Sequence, residues 1–406
     1  MVFRFGVMLM FFTSMSKVLV PGAVFDQLQH ELALDAAVLG GLNAWYMSAY
    51  ALSQITIGMM ADRWGGSRVL VLGGMSFCIG MTIFPLSSAI WLMRIARILA
   101  GFGGGIVFLG VARLIADLYP ERFSSILGFS LVLSYMGPVV GTAPMVWLVS
   151  VIGWRWALLV PALLAVFAMT GILSFTSGTF PPLSQKVPLL RPIFQVMCNV
   201  DMVRLCMASS VTFGAYYALL TVMGRKCLED TAGFQVKWAA LIITLLTIIV
   251  TVCNFLGGTV SKAVRNHYGW AMAGFSALSL LGVSLGWLTL HAGFPGGFLC
   301  MSYILTCIPA GFFPVYCSMG KDASPARFVT LAVALVNFWA FVAISLEGYV
   351  AGVVMRSFEA EAQKIGEVLI YPVAAYKGVF IVFIVFAAIG LLSTIGLFRH
   401  QRKPES

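Results

Sequence analysis

The chain is divided into apolar runs of about 20 residues, the length that carries an α-helix across a hydrocarbon core at 1.5 Å per residue. Between charged or Gly/Pro-rich breaks these runs give twelve spans, at 5–26, 38–60, 69–89, 91–112, 124–150, 156–177, 205–224, 238–258, 270–291, 296–318, 328–354 and 378–397. Lipid offers no partner to backbone N–H and C=O groups, so runs of this length fold as helices. Composition agrees: 60% of the 406 residues are hydrophobic and 10% are charged, against about 25% charged in a soluble globular protein. With 25 basic and 15 acidic side chains, no water-facing surface of this size can be built. That excludes a soluble enzyme, a nucleic-acid-binding domain and a disordered regulator. The expected fold class is an all-α polytopic membrane protein with twelve transmembrane helices.

An even number of spans puts both termini on one side. The segments on that side hold roughly twice as many Lys and Arg as those on the other, so the positive-inside rule places both termini in the cytoplasm. The start of the chain leads into an apolar run with no small-residue cleavage site and reads as a first transmembrane helix. The eight cysteines show no CxxC or Cys/His spacing, so neither a metal site nor a disulfide is expected. The longest inner segment carries Pro181, Pro182, Pro188 and Pro192 and separates six spans from six. Punctuation repeats across it. Gly58-Met-Met-Ala-Asp62-Arg63 has a counterpart in Gly257-Gly-Thr-Val-Ser261-Lys262, and Pro120-Glu-Arg122-Phe123 in Pro325-Ala-Arg327-Phe328, at offsets of 199 and 205 residues. The expected organisation is therefore two homologous six-helix bundles, 1–177 and 205–406, joined by a cytoplasmic central loop at 178–204. Such a repeat suits a carrier alternating about a central site.

Gly58-Met-Met-Ala-Asp62-Arg63-Trp-Gly65-Gly-Ser-Arg68 resembles the loop 2–3 signature of the major facilitator superfamily. Arg97-Ile-Leu-Ala-Gly101 in span 4 is similar to that superfamily's second motif. Gly137-Pro138-Val-Val-Gly141 in span 5 resembles part of the third, best known from antiporters. The resemblance covers the whole chain. It departs at Gly66 and Ser67, where the family usually has basic residues, and at Leu133, where a second glycine would follow Gly128. The resemblance implies that Gly58, Asp62, Arg63, Gly65 and Arg68 form an inner gate. In it, the Asp62 carboxylate meets the positive end of a helix and releases it on opening. It also implies a buried Arg97 that bonds backbone carbonyls and is linked to proton handling.

Other candidates come from the residues themselves. Lys17 lies about 3 Å from the middle of span 1 by helical rise, too deep for its stem to reach the interface. It therefore faces a wet cavity or a partner. Three readings stand: a site for an anionic substrate, a proton-coupling amine, or a structural ion pair with an acid such as Glu347. Asp26 and Glu347 are the acids placed to carry protons. Asn43, Tyr46, Tyr50 and Gln54 share one face of span 2, and Thr244, Thr247, Thr251 and Asn254 do the same in span 8. These stripes line the cavity or bond between helices, and Tyr216 in span 7 is a further substrate candidate. Gly101 and Gly105, and Gly137 and Gly141 beside Pro138, have the spacing of close helix contacts.

Together these observations point to a secondary transporter, acting as a monomer in a bacterial inner membrane and needing no cofactor. No phosphate-cradling Gly-Lys-Ser/Thr loop is present, so protons or a counter-solute are the expected energy source. The expected cargo is a small anionic metabolite, and the alternative is proton-driven efflux of hydrophobic compounds.

Overall fold

The computed structural model describes residues 1–20, 24–32, 36–141, 143–176, 191–365 and 368–397. All twelve expected spans fall on helix. They are α1 (Val2–Val18), α3 (Ala36–Trp64), α4 (Gly66–Leu86), α5 (Ile90–Leu118), α6 with α7 (Phe123–Val140 and Ala143–Ile152) and α8 (Trp154–Thr176). After the short α9 (Arg191–Met197) come α10 (Val200–Ala218), α12 (Val236–Val264), α13 (Tyr268–Ala292), α14 with α15 (Gly296–Gly311 and Phe313–Asp322), α16 (Val329–Ser357) and α17 (Val373–Ser393). Among the described residues, nine helices are long and apolar enough to cross a membrane.

The structure corrects the expected spans in several places. Span 1 passes from α1 into a π-turn at Leu19 and Val20, and Phe25–Leu32 forms a short helix, α2. Span 5 ends at Val140, where the Gly141 N–H closes on the Gly137 carbonyl at 2.8 Å. Pro144 then lies in the first turn of α7, where its missing N–H costs nothing. Span 10 breaks at Phe312 because Pro314 occupies the first turn of α15 and has no N–H to continue the ladder. The Tyr316 hydroxyl donates to the Pro309 carbonyl exposed by that break, at 2.7 Å. Span 7 runs from α10 through a π-turn, Leu219–Met223, into a polar helix, α11 (Gly224–Ala232), ended by Gly233 at φ +68°. A two-stranded antiparallel ladder, β1 (Gln363–Ile365) and β2 (Val368–Ile370), joins α16 to α17.

The chain forms two compact units. The first comprises Met1–Val196 with Ser324–Phe338, and the second Met197–Ala323 with Trp339–Ser406. In unit 1 the helices approach through glycines. A methyl group at Gly101 would overlap the Tyr46 carbonyl of α3, and one at Gly137 would overlap the Phe11 carbonyl of α1. Ser14 and Ser134 share a 2.6 Å hydrogen bond, and the Ser134 hydroxyl also reaches the Met10 carbonyl at 3.0 Å, which fastens α1 to α6. In unit 2 the Ser302 hydroxyl donates to the Gly282 carbonyl at 2.7 Å, and the Tyr303 hydroxyl to the Gly224 carbonyl at 3.1 Å.

Candidate functional site

Arg97 enters unit 1 from the first third of α5 and is 3% exposed. Its Nε donates to the Leu42 carbonyl at 3.3 Å, and Nη1 to the Ser16 carbonyl and hydroxyl at 3.1 and 3.3 Å. Ser16 sits in the last turn of α1, where helix carbonyls run out of intrahelical partners. The guanidinium lies 4.4 Å from the Tyr46 ring centroid, and the Tyr46 hydroxyl donates to the Thr13 carbonyl at 2.9 Å. One side chain thus ties α1, α3 and α5 together, as a planar fork of donors allows. A void of about 10 Å³ beside it has room for no more than a water.

Lys17 lies in the last α-helical turn of α1, just before a π-turn at Leu19 and Val20. Its depth is read from its neighbour. The ammonium lies 4.1 Å from the centroid of the Tyr50 ring, and Tyr50 is the middle residue of the 29-residue α3. An aromatic face attracts a cation through its quadrupole, more strongly where water is scarce. Lys17 and Tyr50, chosen from separate helices, are therefore brought together.

One turn further along α3, Gln54 is fully buried. Its Nε2 donates to the Tyr50 carbonyl at 3.3 Å, and its Oε1 accepts from Nδ2 of Asn337 at 2.9 Å. Asn337 belongs to the part of α16 that groups with unit 1. Sequence reasoning missed it, although a lone Asn in an apolar run is itself a signal that lipid is not its neighbour.

Unit 2 holds the remaining described candidates. Thr247 and Thr251 are half-buried, and their hydroxyls donate to carbonyls of their own helix, Ile243 at 3.2 Å and Thr247 at 2.8 Å. Asn254 is fully buried and donates to the Val250 carbonyl at 2.9 Å. Tyr216 is buried edge-on to Phe213 at 6.3 Å. Glu347 is fully buried, and a methyl group at Gly214 of α10 would overlap its carboxyl group. Neither Glu347 oxygen has a hydrogen-bond partner among the described residues.

At the end of α3, Gly65 alone links α3 to α4, at φ +81°, a conformation that glycine adopts without strain. Arg68 is half-buried on the first turn of α4. The side chains of Asp26, Asn43, Asp62 and Arg63, and the surroundings of Gly58, lie outside the described residues. Gly137 and Gly141 face α1, where a methyl at Gly141 would press on Val18 and Met15, and Pro138 lies within α6 between them.

The family model of the Major Facilitator Superfamily matches residues 6–346. The chain belongs to that superfamily. It is a multi-pass membrane protein of that transporter family, and the motif Gly58–Arg68 covers the end of α3, the Gly65 link and the start of α4. Three relatives show the range of similarity within the superfamily. A multidrug resistance protein B homolog of Mycobacterium tuberculosis is 31% identical over 137 residues, 32% of this chain and 25% of the relative. The uncharacterized transporter YebQ of Escherichia coli is 25% identical over 178 residues, 41% of this chain and 37% of the relative. A cis,cis-muconate transport protein of Acinetobacter baylyi is 24% identical over 238 residues, 54% of this chain and 58% of the relative. The chain thus spans between a quarter and three-fifths of the length of these superfamily members.

Proposed function

We propose that this transporter moves a small organic anion across a bacterial inner membrane by alternating access, driven by protons or a counter-solute. The observation that carries the reading is the Lys17 ammonium over Tyr50, at the depth of the middle of α3. A cation at that depth is costly unless it serves a ligand or a partner. Tyr50 supplies part of its solvation through the face of its ring. Tyr46 and Gln54, on the same helix as Tyr50, are the proposed polar contacts of the cargo in unit 1. The family resemblance of the cis,cis-muconate protein, whose named cargo is an organic anion, is in keeping with this chemistry.

Arg97 acts in this proposal by holding α1 against α3 and α5 through Ser16, which sets the position of Lys17, the next residue in the chain. Glu347 is the proposed proton carrier. Its carboxyl group is buried and has no hydrogen-bond partner among the described residues, which suits it to carry a proton as the neutral acid. The α3–α4 link, with Asp62 and Arg63, is the proposed inner gate, and both termini are proposed to lie in the cytoplasm.

Counterflow of a panel of organic anions in proteoliposomes tests the reading. Wild-type protein is expected to exchange at least one of them, and Lys17→Ala to abolish that exchange. Anion exchange that survives in Lys17→Ala refutes the anion site. The second reading, proton-driven efflux of hydrophobic compounds, is favoured by the name of the M. tuberculosis relative and by the Gly137/Gly141 contact with α1. It predicts accumulation of hydrophobic cations in inverted vesicles and no counterflow of anions.

A further inference from the structure

A cavity of about 330 Å³ opens in unit 2 where the π-turn, α11, the end of α16 and the start of α17 meet. That volume falls within the range of small-molecule pockets, which begins near 300 Å³. Met223 closes the π-turn at one wall, and Met355 and Gly352 of α16 form another. π-Turns within helices recur at functional positions. Lys226, Arg356, Glu359, Tyr371 and Tyr376 also line the space.

The polar groups are unequally committed. Asp230, behind the wall, accepts from Lys226 Nζ at 2.8 Å, from the Tyr376 hydroxyl at 2.7 Å and from the Tyr371 N–H at 3.1 Å. Its carboxylate is 2% exposed, so it braces the cavity and is closed to a ligand. Among the described residues Lys226 bonds only that carboxylate and keeps two of its three N–H groups, with its side chain 26% exposed. Arg356 is exposed and has no ion pair among the described residues. Glu359, also exposed, stands at the rim. The cavity therefore presents two cations with unused donors, one rim carboxylate, and a floor of methionine and tyrosine side chains.

We propose that this cavity is a second binding site, separate from Lys17, for a small organic carboxylate carrying an apolar or aromatic body. The carboxylate lies between Lys226 and Arg356, where charge-assisted bonds are strongest. The body rests on Met223, Met355 and the Tyr371 ring, since thioethers and aromatic rings make favourable contacts. The site does not depend on the cargo assigned to Lys17. A ligand held here is bound whether or not it is carried.

Benzoate is a suitable probe, titrated calorimetrically into the full chain in nanodiscs of zwitterionic lipid. Two variants report on the cavity. Arg356→Gln removes a donor that holds no other described group. Gly352→Val fills the space, because a Cβ at Gly352 meets no atom within 4 Å and the helix is left undisturbed. The expected result is benzoate binding that weakens about tenfold or more in each variant, the effect of losing a charge-assisted contact. Lys17→Ala is expected to bind as wild type. The proposal is overturned if wild type gives no heat with benzoate, if both variants bind as wild type, or if Lys17→Ala alone loses binding. It is also overturned if phosphatidylglycerol in the nanodisc displaces benzoate, which would assign the cavity to a lipid headgroup. Should Arg356→Gln fail to fold, Gly352→Val decides the question alone.

Discussion

Replacing Arg97 by Met keeps the length of the side chain and removes its fork of donors. Three hydrogen bonds of 3.1 to 3.3 Å disappear with it, two to Ser16 and one to Leu42. Bonds between membrane helices average about 0.6 kcal/mol and reach about 1.7, and a charged donor belongs in the upper part of that range. Three of them give about 2–4 kcal/mol. The face-on contact with Tyr46, 4.4 Å from the ring centroid, adds about 1 kcal/mol. The total is about 3–5 kcal/mol. At roughly 2 °C per kcal/mol for a large domain, the apparent melting temperature of detergent-purified protein falls by about 6–10 °C. Arg97→Lys keeps the charge but reaches one of the three acceptors at a time, so its melting temperature lies between the two. Melting within about 2 °C of wild type for Arg97→Met, or equality of Lys and Arg, would show that Arg97 does not hold the helices together.

Two further outcomes follow from carboxyl groups in contrasting settings. Glu347→Gln keeps the shape and removes the exchangeable proton, so vesicles driven by a pH gradient should lose uptake while counterflow persists. Loss of both, or of neither, would rule Glu347 out as the proton carrier. Glu31, on α2 outside the spans, accepts from the Trp154 indole and pairs with Arg155 at 2.9 Å. Chiefly the indole bond, and then Arg155, hold its carboxyl below the usual range. A depressed carboxyl contributes its docking above the unfolded value, near 4.3, and loses it as pH falls through the folded one. Hydrogen exchange of residues 24–32, corrected for intrinsic rate, should therefore be protected at pH 7 and lose protection under acid. In Glu31→Gln the protection should be lower than wild type at pH 7, independent of pH, and equal to wild type under acid. Protection that ignores pH in the wild type would show that the carboxylate does not dock α2.

The helices were legible because lipid leaves a chain few options, and apolar runs of span length have to become helix. Arg97 was legible through the resemblance of Arg97-Ile-Leu-Ala-Gly101 to the family's second motif, which implies a buried guanidinium bonded to backbone carbonyls. What the sequence hid lay at the ends and the breaks. The partner of Lys17 was hidden too, because the Tyr50 ring comes from another helix. Apolar content runs on past Gly311, so hydropathy gives no sign of the break at Phe312 that Pro314 fixes. The α11 helix escaped notice because it is polar, and its charges were read as an outer loop.

The two polar stripes show how far periodicity reaches. Each puts its residues on one face, and the sequence treated them as repeat partners. In α3 the side chains are long, so Tyr46 reaches the Thr13 carbonyl of α1 and Gln54 reaches Asn337 of α16. In α12 the side chains are threonines, whose hydroxyls are short enough to return to the carbonyl four residues back. Thr244, Thr247 and Thr251 all do so, at 3.0, 3.2 and 2.8 Å. A threonine satisfied by its own helix has no need of a neighbour and stays available to a passing solute through its remaining lone pair. The same spacing therefore produces a fastened face in unit 1 and an uncommitted one in unit 2. Side-chain length, and not period, separates the two.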